Sequence, residues 1–275
     1  MKFFSDRLVL FACVVLSILS VLALFPSLFT YQNPYDLTQL FLQNSFQPPS
    51  YQFYLGTDEQ GRDIFSAMLY GLRISLYVGI VSTVLSVLIG YTLGLVAGYY
   101  GGWIDTIIMR IADIQLTFPA ILIALIIMAL WGSGIEKVIL AITIVSWVDY
   151  ARVARGVVLL EKEKEYVQAV QALGMRSYRI IFTEILPNTT SPIIVIATLR
   201  VANAIILEAT LSFLGLGVPV TEPSLGSLIA NGYEVLFSGY WWVSFFPGVL
   251  LMILIVAINL IGDRMRDYMN PRLQR

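Results

Sequence analysis

Histidine is absent from the 275 residues, and Cys13 is the only cysteine. These absences remove the commonest metal ligand and general base, the usual serine-protease triad, any internal disulfide and any cysteine metal cluster. Charge is scarce too, at 13% of residues, and the net charge is −1. That balance gives no electrostatic case for nucleic acid or for a polybasic membrane anchor. No G-x-x-x-x-G-K-[ST] stretch occurs, so the chain lacks the ordinary phosphate loop of an ATP site. Apolar residues fill the space instead, at 58% of the chain, above what an ordinary soluble domain carries.

At about 20 apolar residues per crossing, this composition predicts an all-α, polytopic membrane protein. Six spans are expected, at 8–29, 75–98, 114–132, 136–156, 190–212 and 242–262. The first follows Lys2 and Arg7; it is too long for a signal-peptide core and has no clear small-residue cleavage site, so it reads as an anchor. A polar stretch rich in Asn, Gln, Pro and Tyr follows. The chain therefore divides into an N-terminal helix with an extracytoplasmic segment, 1–73, and a membrane core, 74–275. Placing both termini in the cytoplasm puts thirteen of the seventeen Lys and Arg residues inside, with Arg62, Arg73 and Lys137 outside and Arg200 within a span. That asymmetry sets the orientation.

Gly90, Gly94 and Gly98 repeat every four residues, on one helix face where two backbones can approach closely; the stripe reads as helix packing or as a moving seam. Arg110 and Asp113, three apart, are expected to pair locally on a helix beside Asp105. Arg200, Asn203 and Glu208 lie in or near the fifth span. Their polarity is costly in lipid, so they are expected to face the bundle, as a pair across an interface or as pathway lining. The acids of "GTDEQGRD", 56–63, lack the regular ligand positions of a calcium loop and read as an outer, turn-rich cap. Tyr240, Trp241 and Trp242 read as an interfacial aromatic belt.

The stretch "EYVQAVQALGMRSYRIIFTEILPN", 165–188, stands apart in this apolar chain. Val167, Val170 and Leu173 follow helical spacing, and Gly174 supplies a left-handed helix end. Ser177 is expected to cap a second short helix whose stripe is Tyr178, Ile181 and Ile185, with Pro187 at its end or at the join with the next span. Two short cytoplasmic helices result, with apolar stripes that little of the chain is expected to cover, suited to docking a soluble partner.

This stretch resembles the coupling loop of bacterial ABC importer permeases, with Ala169, Gly174, Leu186 and Pro187 on the signature and Gln168, Val170 and Glu184 departing from it. "LGTDEQGRDIFSAMLYGLRISLYVG", "GYYGGWIDTIIMRIADIQLTFPAILIAL", "LEATLSFLGLG" and "GDRMRDYMNPR" resemble, in order, segments of the dipeptide, oligopeptide and nickel branch. The second, six-span permease of peptide importers is similar over most of the chain after Leu55. The resemblance implies a type I importer permease whose coupling loop spans 157–188. Its ATPase-coupling surface comprises Glu165, Gln168, Ala169, Ala172, Leu173, Gly174, Ser177, Leu186 and Pro187. It also implies a homologous permease, two ATPase subunits that bind ATP and Mg, an extracytoplasmic substrate-binding protein, and a place in the bacterial cytoplasmic membrane. The chain itself would bind no cofactor. Nickel or glutathione are alternative solutes. An ion-coupled transporter is disfavoured by the hairpin and by the lack of an internal repeat, and an intramembrane enzyme by the lack of a catalytic constellation.

Overall fold

The computed structural model describes residues 7–34, 36, 42–219 and 222–269; Lys2, Arg272 and Arg275 lie outside them. Ten α-helices occur among the described residues: α1 (Arg7–Leu24), α2 (Ile64–Tyr100), α3 (Gly102–Leu116), α4 (Ala120–Trp131), α5 (Ile135–Lys162), α6 (Glu165–Ala172), α7 (Ser177–Ile180), α8 (Leu186–Phe213), α9 (Leu225–Glu234) and α10 (Trp242–Met269). A π-helical turn, Ile181–Ile185, joins α7 to α8. No strand is present among these residues beyond one isolated bridge, Thr57 with Asp63.

Four helices are long and apolar enough to cross a membrane: α1, α2, the continuous run Ser177–Phe213, and α10. The third expected span, 114–132, is broken. Its residues divide between α3 and α4, which meet at 89° and together would make a fifth crossing. Thr117-Phe118-Pro119 causes the bend, because Pro119 lacks an N–H and bars the residue before it from helical backbone. The fourth expected span lies in α5, long enough to cross but carrying Asp149, Arg152 and Arg155 in its C-terminal half. It falls outside the apolar set for that reason. α2 begins at Ile64, capped by the Asp63 carboxylate accepting from the Ser66 amide at 2.7 Å, so one helix runs through the expected boundary at 73–74.

α5 and α8 pack against α2. The α2–α5 seam depends on the three glycines. A Cβ on Gly90 would stand 2.2 Å from the Trp147 carbonyl oxygen, and one on Gly94 would stand 2.4 Å from that of Ala151. One on Gly98 would meet the Val158 side chain at 2.9 Å. Such close approach supplies packing where the apolar driving force between helices in lipid is weak. On the rim, Arg155 grips Asp105 through two nitrogens (2.5 and 2.6 Å) and Arg152 meets Asp113 at 2.5 Å. The pairing therefore runs between α3 and α5, not from Arg110 to Asp113 along α3.

The turn-rich segment before α2 is tied down. Asp58 and Arg62 form a buried ion pair at 2.6 Å, and Asp58 also accepts the Gln60 and Arg62 amides. Trp242 is buried rather than interfacial: its indole N–H donates to the Thr57 carbonyl at 3.2 Å. Tyr240 stacks on Phe46 with ring centroids 4.2 Å apart, and Trp241 is the member of the trio left half exposed.

Replacing Gly94 with Val should lower the thermal unfolding midpoint of the detergent-purified protein, at or above the upper end of the ~1–3 kcal/mol overpacking range, because a backbone carbonyl cannot move aside. Gly156→Ala is the control, since nothing lies within 4 Å of its added Cβ, and should be neutral or slightly stabilising.

Candidate functional site

The polar hairpin is built as a braced elbow. α6 ends in a complete Schellman motif: the Gly174 amide donates to the Gln171 carbonyl (3.0 Å) and the Met175 amide to the Val170 carbonyl (3.1 Å). Gly174 has φ +76°, the left-handed conformation this motif requires. Arg176, not Ser177, holds the cap position of α7, and no side chain caps it. The second arm is not a separate helix, because α7 continues through the π turn into α8. In that turn the Leu186 amide reaches five residues back to the Ile181 carbonyl. The wide turn precedes Pro187, whose ring and missing N–H would break a regular ladder. The Asn188 side-chain Nδ2 donates to the Glu184 carbonyl at 2.6 Å, and the Tyr91 hydroxyl donates to the Leu186 carbonyl at 2.9 Å.

Much of the expected apolar stripe is covered by the chain itself. Val167, Ile180, Ile181 and Ile185 are buried against Leu95 and Tyr99 of α2 and Val158 of α5. The rest of the two stripes stays exposed: Leu173 is 85% accessible and Tyr178 more than half accessible, and Phe182, which lies on neither expected stripe, joins them. Glu165, Gln168, Ala169, Ala172, Gly174, Ser177 and Pro187 are exposed as well, whereas Leu186 is half-buried.

Glu161 locks the elbow to α5. Its buried carboxylate accepts from the Lys164 ammonium at 2.9 Å and from the Tyr166 hydroxyl. Burial works to raise its pKa, but these two donors outweigh it and hold the carboxyl below the ordinary glutamate value. The same contact works the other way on Tyr166, where burial and the neighbouring carboxylate push the phenol up to about 12. Because the Glu161 pKa is depressed, its contribution is complete above the unfolded value and is lost only as acid protonates it. Lys162 donates to the Tyr99 carbonyl at 2.7 Å, closing the C-terminus of α2.

A second polar group lies at mid-height in the bundle. Arg200 of α8 pairs with Asp149 of α5 at 3.0 Å, and both line a cavity of about 530 Å³ together with Asn203. Arg200 and Glu208 are not partners. Glu208 is fully buried and accepts from the Ser75 and Ser212 hydroxyls, each at 2.8 Å.

Residues 90–275, which hold the hairpin and nearly all of this cavity, match the family described as binding-protein-dependent transport system inner membrane component. The chain belongs to that family. A dipeptide transport system permease protein of Bacillus subtilis (strain 168) is 42% identical over 243 residues, covering 88% of this chain and 76% of that protein. An oligopeptide transport system permease protein of the same organism is 38% identical over 275 residues, covering 100% and 89%. A glutathione transport system permease protein of Pectobacterium atrosepticum is 40% identical over 246 residues, covering 89% and 81%. Among solved structures, the MetNI methionine ABC transporter in an inward facing conformation has a similar fold, with TM-score 0.60 and 22% identity over 74% of this chain and 97% of that one. The chain is thus a multi-pass inner-membrane permease subunit of the ABC type.

Within this permease, no pattern in the sequence marks Glu161, Tyr166 and Tyr91 as the braces of the elbow. Their partners are three to ninety-nine residues away and follow no period. Asp149 is legible as a charge inside an apolar helix, but its pairing with Arg200 is not.

Tyr166→Phe removes the hydroxyl from Glu161 and leaves the ring. A lost hydrogen bond to a charged group is worth ~1.5–3 kcal/mol. Amide exchange through residues 165–185 should therefore accelerate about tenfold or more at neutral pH, while α2 and α10 keep their protection.

Proposed function

We propose that this permease serves an ATP-driven importer of di- or oligopeptides. It pairs with a homologous permease to enclose the pathway, receives solute from an extracytoplasmic binding protein, and is driven by two ATPase subunits that bind ATP and Mg. Both termini and the hairpin, 157–188, face the cytoplasm. α5 supplies the sixth crossing, its charges being acceptable where they face the bundle and not lipid.

The observation that carries this reading is the mechanical continuity of the elbow. α7 runs into α8 without a loop, and α6 is pinned to α5 and α2 through Glu161, Tyr166 and the buried Val167 cluster. Force applied to the exposed Leu173, Tyr178 and Phe182 face would therefore move α8, the helix that carries Arg200 and Asn203. Three exposed apolar side chains on a rigid cytoplasmic projection suit a soluble protein partner. Glu165, Gln168, Ala169, Ala172, Gly174 and Ser177 complete the docking face, with Leu186 and Pro187 at its root. The peptide class is supported by the relatives' names, with glutathione as the second reading.

Leu173→Asp puts a charge in the centre of that face without touching the fold. ATPase subunits should co-purify at least tenfold less with this variant, and peptide uptake into proteoliposomes should fall in proportion, at unchanged amounts of inserted permease. Normal uptake by the variant, or wild-type uptake that persists without ATPase subunits, would exclude the coupling role.

A further inference from the structure

The Arg200–Asp149 pair stands where an ion pair is hardest to keep. Each residue lies about 20 Å from either end of its helix, at ~1.5 Å per residue. Charge at that depth is costly unless it meets water or a polar partner. Here the pair is not sealed away: the Arg200 side chain is 39% accessible and that of Asp149 is 33% accessible, and both face the same cavity. The walls are polar beyond what the pair needs. Asn203 and Ser146 line them, as do Thr83 and Tyr150, residues 95% or more buried whose neighbouring hydroxyls have at most each other as partner among the described residues. A hydroxyl can both donate and accept, so this buried pair keeps capacity for a ligand or water. The cavity, about 530 Å³, falls within the ~300–1,000 Å³ of small-molecule sites.

We propose that this cavity is a solute station inside the membrane, in which Arg200 and Asp149 exchange each other for the two charged ends of a free peptide. A zwitterion brings one carboxylate and one ammonium. Arg200 can take the carboxylate through its planar fork and Asp149 the ammonium, so no charge in the bundle is left unpaired before or after the solute enters. Thr83, Tyr150 and Asn203 then meet the peptide's amide groups. A station of this kind holds solute less tightly than two free charges would, because forming its two ion pairs with the peptide costs the one that the bundle already had. This inference rests on the peptide-importer reading and adds to it the residues that recognise the termini.

The test uses the complete importer, with its partner subunits and binding protein, in proteoliposomes, and the free dipeptide that the wild type takes up best from a panel. Arg200→Gln and Asp149→Asn should each lower uptake tenfold or more, while Arg200→Lys keeps at least a third of it. Binding-protein-stimulated ATP hydrolysis should stay within twofold of wild type. The decisive variant is the double neutral one, Asp149→Asn with Arg200→Gln, which leaves no unpaired charge. A pair that only braces α5 against α8 would be replaced by its amides, and uptake would return to within twofold of wild type, which overturns the proposal. A station for peptide termini stays at the level of the single variants. Should the charge variants fail to assemble by size-exclusion chromatography, Thr83→Val carries the test: uptake lowered threefold or more at unaltered ATP hydrolysis supports the station, and unaltered uptake overturns it. Wild-type vesicles that move no peptide overturn the parent reading and this one with it, whereas wild-type uptake with a restored double variant overturns this one alone.

Discussion

Three positions along the face of α2 that meets α5 have room for hydrogen only. Where Gly90, Gly94 and Gly98 pass α5, an added Cβ on the first two would stand 2.2–2.4 Å from carbonyl oxygens of the facing backbone. This contact sets the distance between the two helices that everything else uses. It holds the C-terminal end of α5 beside that of α2, where Val158, Leu95 and Tyr99 form the bed for Val167. A wider seam would leave α6 and α7 nothing to lie on. Lipid offers little hydrophobic reward for bringing helices together, so surface fit at small residues has to supply the cohesion.

On that seam the molecule separates two tasks by depth. At the elbow, apolar side chains are divided into a covered set and an uncovered set, and Leu173, Tyr178 and Phe182 are the large ones most exposed. At mid-height, charge is concentrated in one pair beside one cavity. α8 belongs to both levels, since its inner end grows out of the elbow and its middle carries Arg200. A movement at one level is thereby felt at the other without any flexible connection between them.

Much of the architecture is readable from the residues, and the reasons for the exceptions are specific. Long apolar runs mark α1, α2, α8 and α10, and Gly174 marks the end of α6, because each depends on composition or on one backbone conformation. The 114–132 run misleads because hydropathy is blind to backbone: three residues, Thr117 to Pro119, turn the chain by 89° without altering its polarity. Helical spacing places Val167 and Ile185 on apolar stripes but cannot say that α2 and α5 cover them, since that is a fact about distant segments. Pairings fail for the same reason. Arg200 and Glu208 share a helix face by counting, yet one reaches Asp149 and the other three-dimensional neighbours in Ser75 and Ser212. The Ser177 cap fails because a preceding residue, Arg176, already has the extended backbone the position needs.

The wide turn at Ile181–Ile185 has a geometric meaning beyond accommodating a proline. Such a turn holds one residue more than regular helix would over the same rise, and each residue in a helix advances the azimuth by about 100°. That single surplus residue therefore acts as an angular offset between the elbow and the long helix above it. It fixes the compass bearing at which Leu173, Tyr178 and Phe182 look out, independently of where Arg200 looks in. A shift of the surplus by one register along the helix would re-aim the inner end while leaving the mid-height pair where it stands.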